Sequence, residues 1–298
     1  MSHKKAAVLA GWAMLAATLS TGCKRNDGAV GREAATRAAA HVHEGRGMID
    51  RLVNGLGPAL SEAGPVLGPA MAAPMDVARV RNRLLDLNDD RNPAGRALSM
   101  YPTFFIVAVG PDGVGVASNR PVAQDWSPGK NLGAAFPCVQ AALAGTAGQC
   151  SGETPTVEGQ PVRAYHVSAI PLRAEANGPV VGALVGAYSF GRIARAVRQA
   201  LNVQTATEGV QLHVGLWRGT RVLPSGEDND VPEAFLVPAQ LLRALPADTG
   251  ARLSQGEGRF THTFSENDGR MWWGVAGGPI PALGPGVGLI VFRAPLRQ

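Results

Sequence analysis

A run of short apolar strands punctuated by glycine turns, met twice along the chain, is the feature that most constrains the fold. FFIVAV at 104–109 predicts a buried strand, Gly110-Pro111-Asp112-Gly113 a turn, and VGVASN at 114–119 the returning strand. A loop with Pro and Gly follows and carries Trp126 and Lys130. A short helix is expected from Pro137 to Ala144, capped by Gly145. Strands are expected around 149–157, 162–170 and 179–189, and a basic amphipathic helix at 191–201. FIVAV-turn-GVGVASN at 105–119 is answered by LHVGLWRGTRVLPSG at 212–226, and VRAYHVSAIPL before VVGALVGAY is answered by RMWWGVAGGPIP before GPGVGLIVF. Pro171 then corresponds to Pro279 and Gly182 to Gly288, at an offset of about 106 to 108. The pattern reads as a duplicated unit. Two unrelated antiparallel sheets with similar turns are the alternative.

The segment before the first strand has helical periodicity. Val42, Ile49, Leu52, Val53 and Leu56 fall on one stripe, which predicts a helix over 29–56. His41 and His43 are two apart, so they point in different directions, cannot share a metal and are expected in solvent. Gly57 to Pro74 contains Pro58, Pro65, Pro69 and Pro74, which predicts that no long helix passes through it. A second helix is expected from Asp76 as N-cap, with Val77, Val80, Leu84 and Leu87 along one side, ending at Asn92-Pro93.

The N-terminus carries an address. Lys4 and Lys5 precede a 14-residue apolar stretch, Ala6 to Leu19, which is too short to cross a bilayer comfortably and suits a signal-peptide core. LSTGC resembles a bacterial lipoprotein signal, in which Cys23 is lipidated and becomes the new N-terminus. Gly22 fits that pattern, while Ser20 stands where leucine is usual. An ordinary secretory peptide ending near a cysteine is the alternative. Either reading implies export, and lipidation leaves Cys138 and Cys150 as an even pair in an oxidising compartment. They are expected to form a disulfide, with two free buried thiols as the alternative.

Charge and motifs exclude several functions. The basic residues are 24 Arg and 4 Lys, a bias typical of a GC-rich genome, and the net charge of +5 falls to +3 without residues 1–22. The charges are scattered, so nucleic acid is not an expected partner. The sequence has no G-x-S-x-G elbow, H-E-x-x-H pair or P-loop, so no catalytic residue, cofactor or metal is assigned. Glu227-Asp228-Asn229-Asp230 lacks the spacing of a calcium loop and reads as a solvated turn.

The order of the first unit resembles a known family. A hydrophobic strand, a D-G turn and a strand ending S-N are followed by G-K-N-L-G, a helix ending A-L-A-G, a strand ending A-I-P-L, and G-P-V-V-G-A-L-V-G-A-Y feeding a helix. Together these look like the Cache family of extracellular sensor domains, in a double Cache arrangement. The resemblance implies an α+β fold with PAS-like antiparallel sheets and flanking helices. Together with the N-terminal signal it gives four expected segments: a lipoprotein signal peptide at 1–22, an N-terminal helix and Pro/Gly-rich linker at 23–75, a first unit at 76–206 and a degenerate second unit at 207–298.

It also implies a small extracellular ligand. The Arg-x-Trp-Tyr motif of amino-acid-binding relatives is missing, which leaves the ligand open. No output module follows the second unit, so signalling is expected to pass through a separate protein, with the membrane reached through the lipid. Trp126, Lys130, Arg163 and Tyr165 are the candidate ligand-binding residues: a cation for an anionic metabolite and two amphipathic walls. Arg163 and Tyr165 share one face of their strand, His166 and Ser168 the other. A core role for the aromatics and a solvated Arg163 form the competing reading. With it goes the alternative function, an interaction lipoprotein with a vestigial pocket. Trp272-Trp273 should face opposite ways, one into the core.

Overall fold

The computed structural model describes residues 27–101, 103, 105–153, 163–219, 221–224, 231–254, 260–266 and 271–296. The chain begins with α1 (Asp27–Met71), α2 (Val77–Asp86) and α3 (Pro93–Ser99), then β1 (Phe105–Val109) and β2 (Gly115–Ser118). Next come α4 (Leu132–Ala135), α5 (Pro137–Leu143), β3 (Gly148–Glu153), β4 (Ala164–Arg173), β5 (Val180–Ser189) and α6 (Phe190–Gln204). The second half holds β6 (Val210–Arg218), β7 (Arg221–Leu223), α7 (Ala239–Arg243), α8 (Thr249–Ser254), β8 (Phe260–Glu266), β9 (Met271–Pro279) and β10 (Val287–Pro295).

The strands form two five-stranded antiparallel sheets, ordered β2-β1-β5-β4-β3 and β7-β6-β10-β9-β8. One topology is built twice, and the hairpins aligned in the sequence occupy equivalent places in the two sheets. Asp76 caps α2 by accepting from the amides of Ala78 and Arg79.

α1 is the shared floor. Its 45 residues span about 68 Å at helical rise. A single core contains Val53, Leu56, Leu60 and Leu67 of α1 with Ile106, Leu172 and Leu184 of the first sheet, and Val42 and Ile49 with Leu212, Leu289 and Val291 of the second. The opposite face of the first sheet is closed by α4 and α5, that of the second by a cluster that includes Leu241 of α7.

The expected break at Gly57–Pro74 is corrected: α1 runs unbroken through Pro58, Pro65 and Pro69 to Met71. All three prolines are exposed, as are Asn54, Ser61 and Pro65, whose carbonyls lose a helical partner. Those carbonyls lie on the outer face, where water can satisfy them, while the buried stripe stays regular. The expectation that His41 is solvated is corrected as well. It is 8% exposed, with Nδ1 3.3 Å from Glu44 Oε2.

Glycines on the inner face let α1 lie directly on strand backbone. A Cβ on Gly68 would collide with the backbone carbonyl of Arg173, and one on Gly274 of β9 with the backbone of Ala34 and Ala35. The first unit is further tied by the Cys138–Cys150 disulfide, whose Cα atoms are 5.5 Å apart. It joins the start of α5 to β3 across a sequence separation of 12, worth about 3 kcal/mol by chain entropy.

Gly68→Ala and Gly274→Ala should each destabilise the protein by about 2–3 kcal/mol in urea unfolding. Gly47→Ala, where an added Cβ meets only Arg51 at 3.7 Å, should stabilise it by about 0.5–1 kcal/mol.

Candidate functional site

Strand alternation decides which side chains of β4 face which layer. Tyr165, Val167 and Ala169 belong to the cluster under α4 and α5. Ser168 and Ile170 face Gly57 and Gly64 of α1, and His166 has their parity.

The first group builds the candidate site at one end of the sheet. Tyr165 is 1% exposed, and its ring meets Phe105 of β1 at 5.3 Å between centroids and 60°. Trp126 reaches the same ring from the loop after β2, at 5.2 Å and 82°. Phe105 therefore joins the two predicted aromatics into an edge-to-face trio, an arrangement favoured by the ring quadrupoles. Arg163 is half-buried immediately before β4.

Lys130 is set apart from these. Its carbonyl accepts from the amide of Gly115, which pairs with Val109, four residues along β1 from Phe105. That is roughly 13 Å of strand. Trp126 and Tyr165 are thus brought together, while Lys130 approaches from the other end of the sheet.

Asp125 fixes the loop that presents Trp126. Its side chain is 1% exposed, and it accepts from Ser118 N at 3.0 Å, Ser127 N at 3.1 Å and Ser127 Oγ at 2.6 Å. The Arg81 guanidinium of α2 lies 3.2 Å away. Burial works to raise its pKa, but the hydrogen bonds from Ser127 and Ser118 outweigh it and hold the carboxyl below its ordinary value. Phe105 and Asp125 were not among the residues predicted from sequence. Phe105 reads there as one more strand hydrophobe, whereas the Asp125-Trp126-Ser127 spacing is a legible Asx-turn signal.

The opposite face of β4 carries a Ser–His pair that is not arranged as nucleophile and base. Ser151 Oγ donates to the carbonyl of Leu283, between β9 and β10, and lies 3.3 Å from His166 Nδ1. With its one hydroxyl proton committed, Ser151 can only accept from Nδ1–H, which places the imidazole proton where a base would need a lone pair. Burial pushes His166 down to about 4, so it is neutral at physiological pH. The pair ties the first sheet to the second.

Trp272 and Trp273 face opposite ways. Trp273 is 2% exposed and donates to Glu266 Oε2 at 2.9 Å; Trp272 packs against Gly31 of α1. Cys23 and the Glu227–Asp230 run lie outside the described residues. No group of three or more metal-ligating side chains occurs among the described residues, and no helix there is long and apolar enough to cross a membrane.

No protein-family model matches the sequence, and no curated protein matches it. Solved structures do. The ligand-binding domain of the Campylobacter jejuni chemoreceptor Tlp3 in complex with L-valine matches with a TM-score of 0.50 at 9% identity, over 90% of this chain and 95% of that one. The ligand-binding domain of the Pseudomonas aeruginosa amino acid chemoreceptor PctC, in complex with GABA, matches with a TM-score of 0.46 at 14% identity, over 87% and 99%. An extracellular ligand binding receptor from Desulfohalobium retbaense matches at 0.48 and 8%, over 87% of this chain and 40% of that one. At these identities the likeness is one of fold. The α+β fold, with two sheets of one topology on a long N-terminal helix, is that of the double Cache sensor domains.

Asp125→Asn should cost about 2–3 kcal/mol at pH 7, because it leaves Arg81 beside a neutral group in a buried setting. The folded-state pKa of Asp125 is depressed, so its contribution is fully present at neutral pH. It is lost only as pH falls below the ordinary value of 3.8 and through the lower folded one. Urea unfolding against pH, followed by tryptophan fluorescence, should show that acid limb in the wild type and a reduced one in Asp125→Asn.

Proposed function

We propose that this chain is an exported, lipid-anchored binding protein that recognises a small extracellular molecule through its first unit. The observation that carries this reading is the Trp126–Phe105–Tyr165 trio on the sheet face away from α1, with Arg163 half-buried immediately before β4, the strand that carries Tyr165. Aromatic walls that enclose a polar or cationic anchor are the usual lining of a small-molecule site. Asp125 supports the reading: a buried carboxylate with four partners holds the Trp126 loop in place before any ligand arrives.

In this account the units divide as signal peptide 1–22, helical stem 23–75, first unit 76–206 and second unit 207–298. Cys23 is the lipidation site, which holds the protein on the periplasmic or cell-surface face of a bacterial membrane. Trp126, Arg163 and Tyr165 contact the ligand directly, and Lys130 contributes longer-range charge. The protein is not an enzyme, uses no cofactor and passes its signal to a separate protein. A second reading is favoured by the packing of α4 and α5, where Leu132, Val139 and, between the two helices, Phe136 fill the centre of the same face. On that reading the pocket is vestigial and the lipoprotein docks a partner.

A thermal-shift screen of the soluble chain against metabolites separates the two. A ligand at a hundred times its Kd adds about 2.7 kcal/mol, so a true ligand should raise Tm by roughly 4–8 °C. That shift should fall in Arg163→Ala and Tyr165→Phe. A screen with no hit, or with hits that both variants leave unchanged, favours the docking reading and overturns the proposed site.

A further inference from the structure

At the far end of the molecule, a cavity of about 530 Å³ lies between the first turns of α1 and the second sheet. It falls within the size range of small-molecule sites. Its apolar wall includes Val30, Met271 and the indole of Trp272, and its charged residues include Arg37, Glu208 and Arg293. It is distinct from the aromatic trio: it lies on the helix side of the other sheet, on strands β9 and β10.

Arg293 is the central group. Its side chain is only 7% exposed, and its Nη2 lies 2.6 Å from Glu208 Oε2. The same carboxylate oxygen also faces Arg37 Nη1 at 3.7 Å. Nε of Arg293 is buried and has no partner among the described residues. Nε and Nη2 form the parallel edge that a carboxylate takes with both oxygens. Glu208 therefore engages half of that fork and leaves the other half idle.

The indole nitrogen of Trp272 repeats the deficit. It too is buried with no partner among the described residues, and its ring is held against Gly31 of α1. Both idle polar atoms are buried donors on residues that line this cavity, so a molecule that reaches them brings acceptors. Glu33, which also lines the cavity, pairs with Arg37 at 3.3 Å, so one arginine is left for one carboxylate and a multiply charged anion is disfavoured. The apolar wall asks for an aliphatic or aromatic body.

We propose that this cavity binds a monocarboxylate with an apolar body. Its carboxylate takes the Nε–Nη2 edge of Arg293 in place of Glu208, and its body lies against Trp272 and Met271. Glu208, 35% exposed on the connection between α6 and β6, holds the place that the ligand carboxylate takes, and swings out towards solvent as the ligand enters.

Hexanoate is the probe, with hexanamide as its neutral counterpart. Binding is followed by the shift of the Trp272 indole N–H in ¹H–¹⁵N spectra, assigned with Trp272→Phe. Hexanoate should bind at least tenfold more tightly than hexanamide. Arg293→Lys keeps the charge but loses the fork, and should weaken hexanoate at least tenfold. Glu208→Gln removes the competitor and should tighten it several-fold. Hexanoate failing to shift the resonance, binding no better than hexanamide, or binding Glu208→Gln no more tightly than the wild type overturns the proposal. The amide comparison and Glu208→Gln still decide the matter if Arg293→Lys folds poorly.

Discussion

Direct contact between the backbone of α1 and the strands of both sheets sets the geometry of the rest. Gly68 lies against the carbonyl of Arg173, and Gly274 lies against the backbone at Ala34–Ala35, so one helix reaches both sheets at the separation its smallest side chains allow. Helix and sheet faces then share a single core. Because α1 takes one face of each sheet, only the opposite faces remain for short helices and loops. The aromatic trio occupies one such face. The cavity proposed for a carboxylate lies on the other face of the second sheet from its short helices, between that sheet and the first turns of α1, and Trp272 and Arg293 line it.

Much of the fold was legible because its rules are local. Hairpin turns, the Asp76 cap and strand alternation follow from a few adjacent residues, and they predicted the repeat, α2 and the opposed faces of Tyr165 and His166. The continuous α1 was not legible. A proline's cost depends on whether the carbonyl it orphans meets water, and that is fixed by which face of the helix meets the sheets. His41 is a similar case. Its burial comes from tertiary packing, and the one-dimensional pattern of α1 gives it no sign.

The candidate site was legible in part. Trp126 and Tyr165 were picked out as amphipathic aromatics, and the structure brings both onto Phe105, a residue that sequence alone could not separate from any other strand hydrophobe. Lys130 was grouped with them by closeness along the loop. Pairing of its carbonyl to Gly115 instead sets it further along the sheet. Asp125 shows what a motif reading can miss: its role lies in satisfying amides and Arg81, and through them in holding the loop. The polar tie from His166 through Ser151 to Leu283 joins two strand systems far apart in sequence, so no window along the chain could contain it.

Through the core they share on α1, the two sheets form one cooperative structure. Native-state hydrogen exchange of the intact chain in rising urea, resolved for peptides from β5 and β10, tests this most directly. The shared core predicts that the most protected amides of both strands open together, with the same free energy and the same dependence on urea. Exchange of β10 through a separate opening, at a much lower free energy while β5 stays protected, would contradict it.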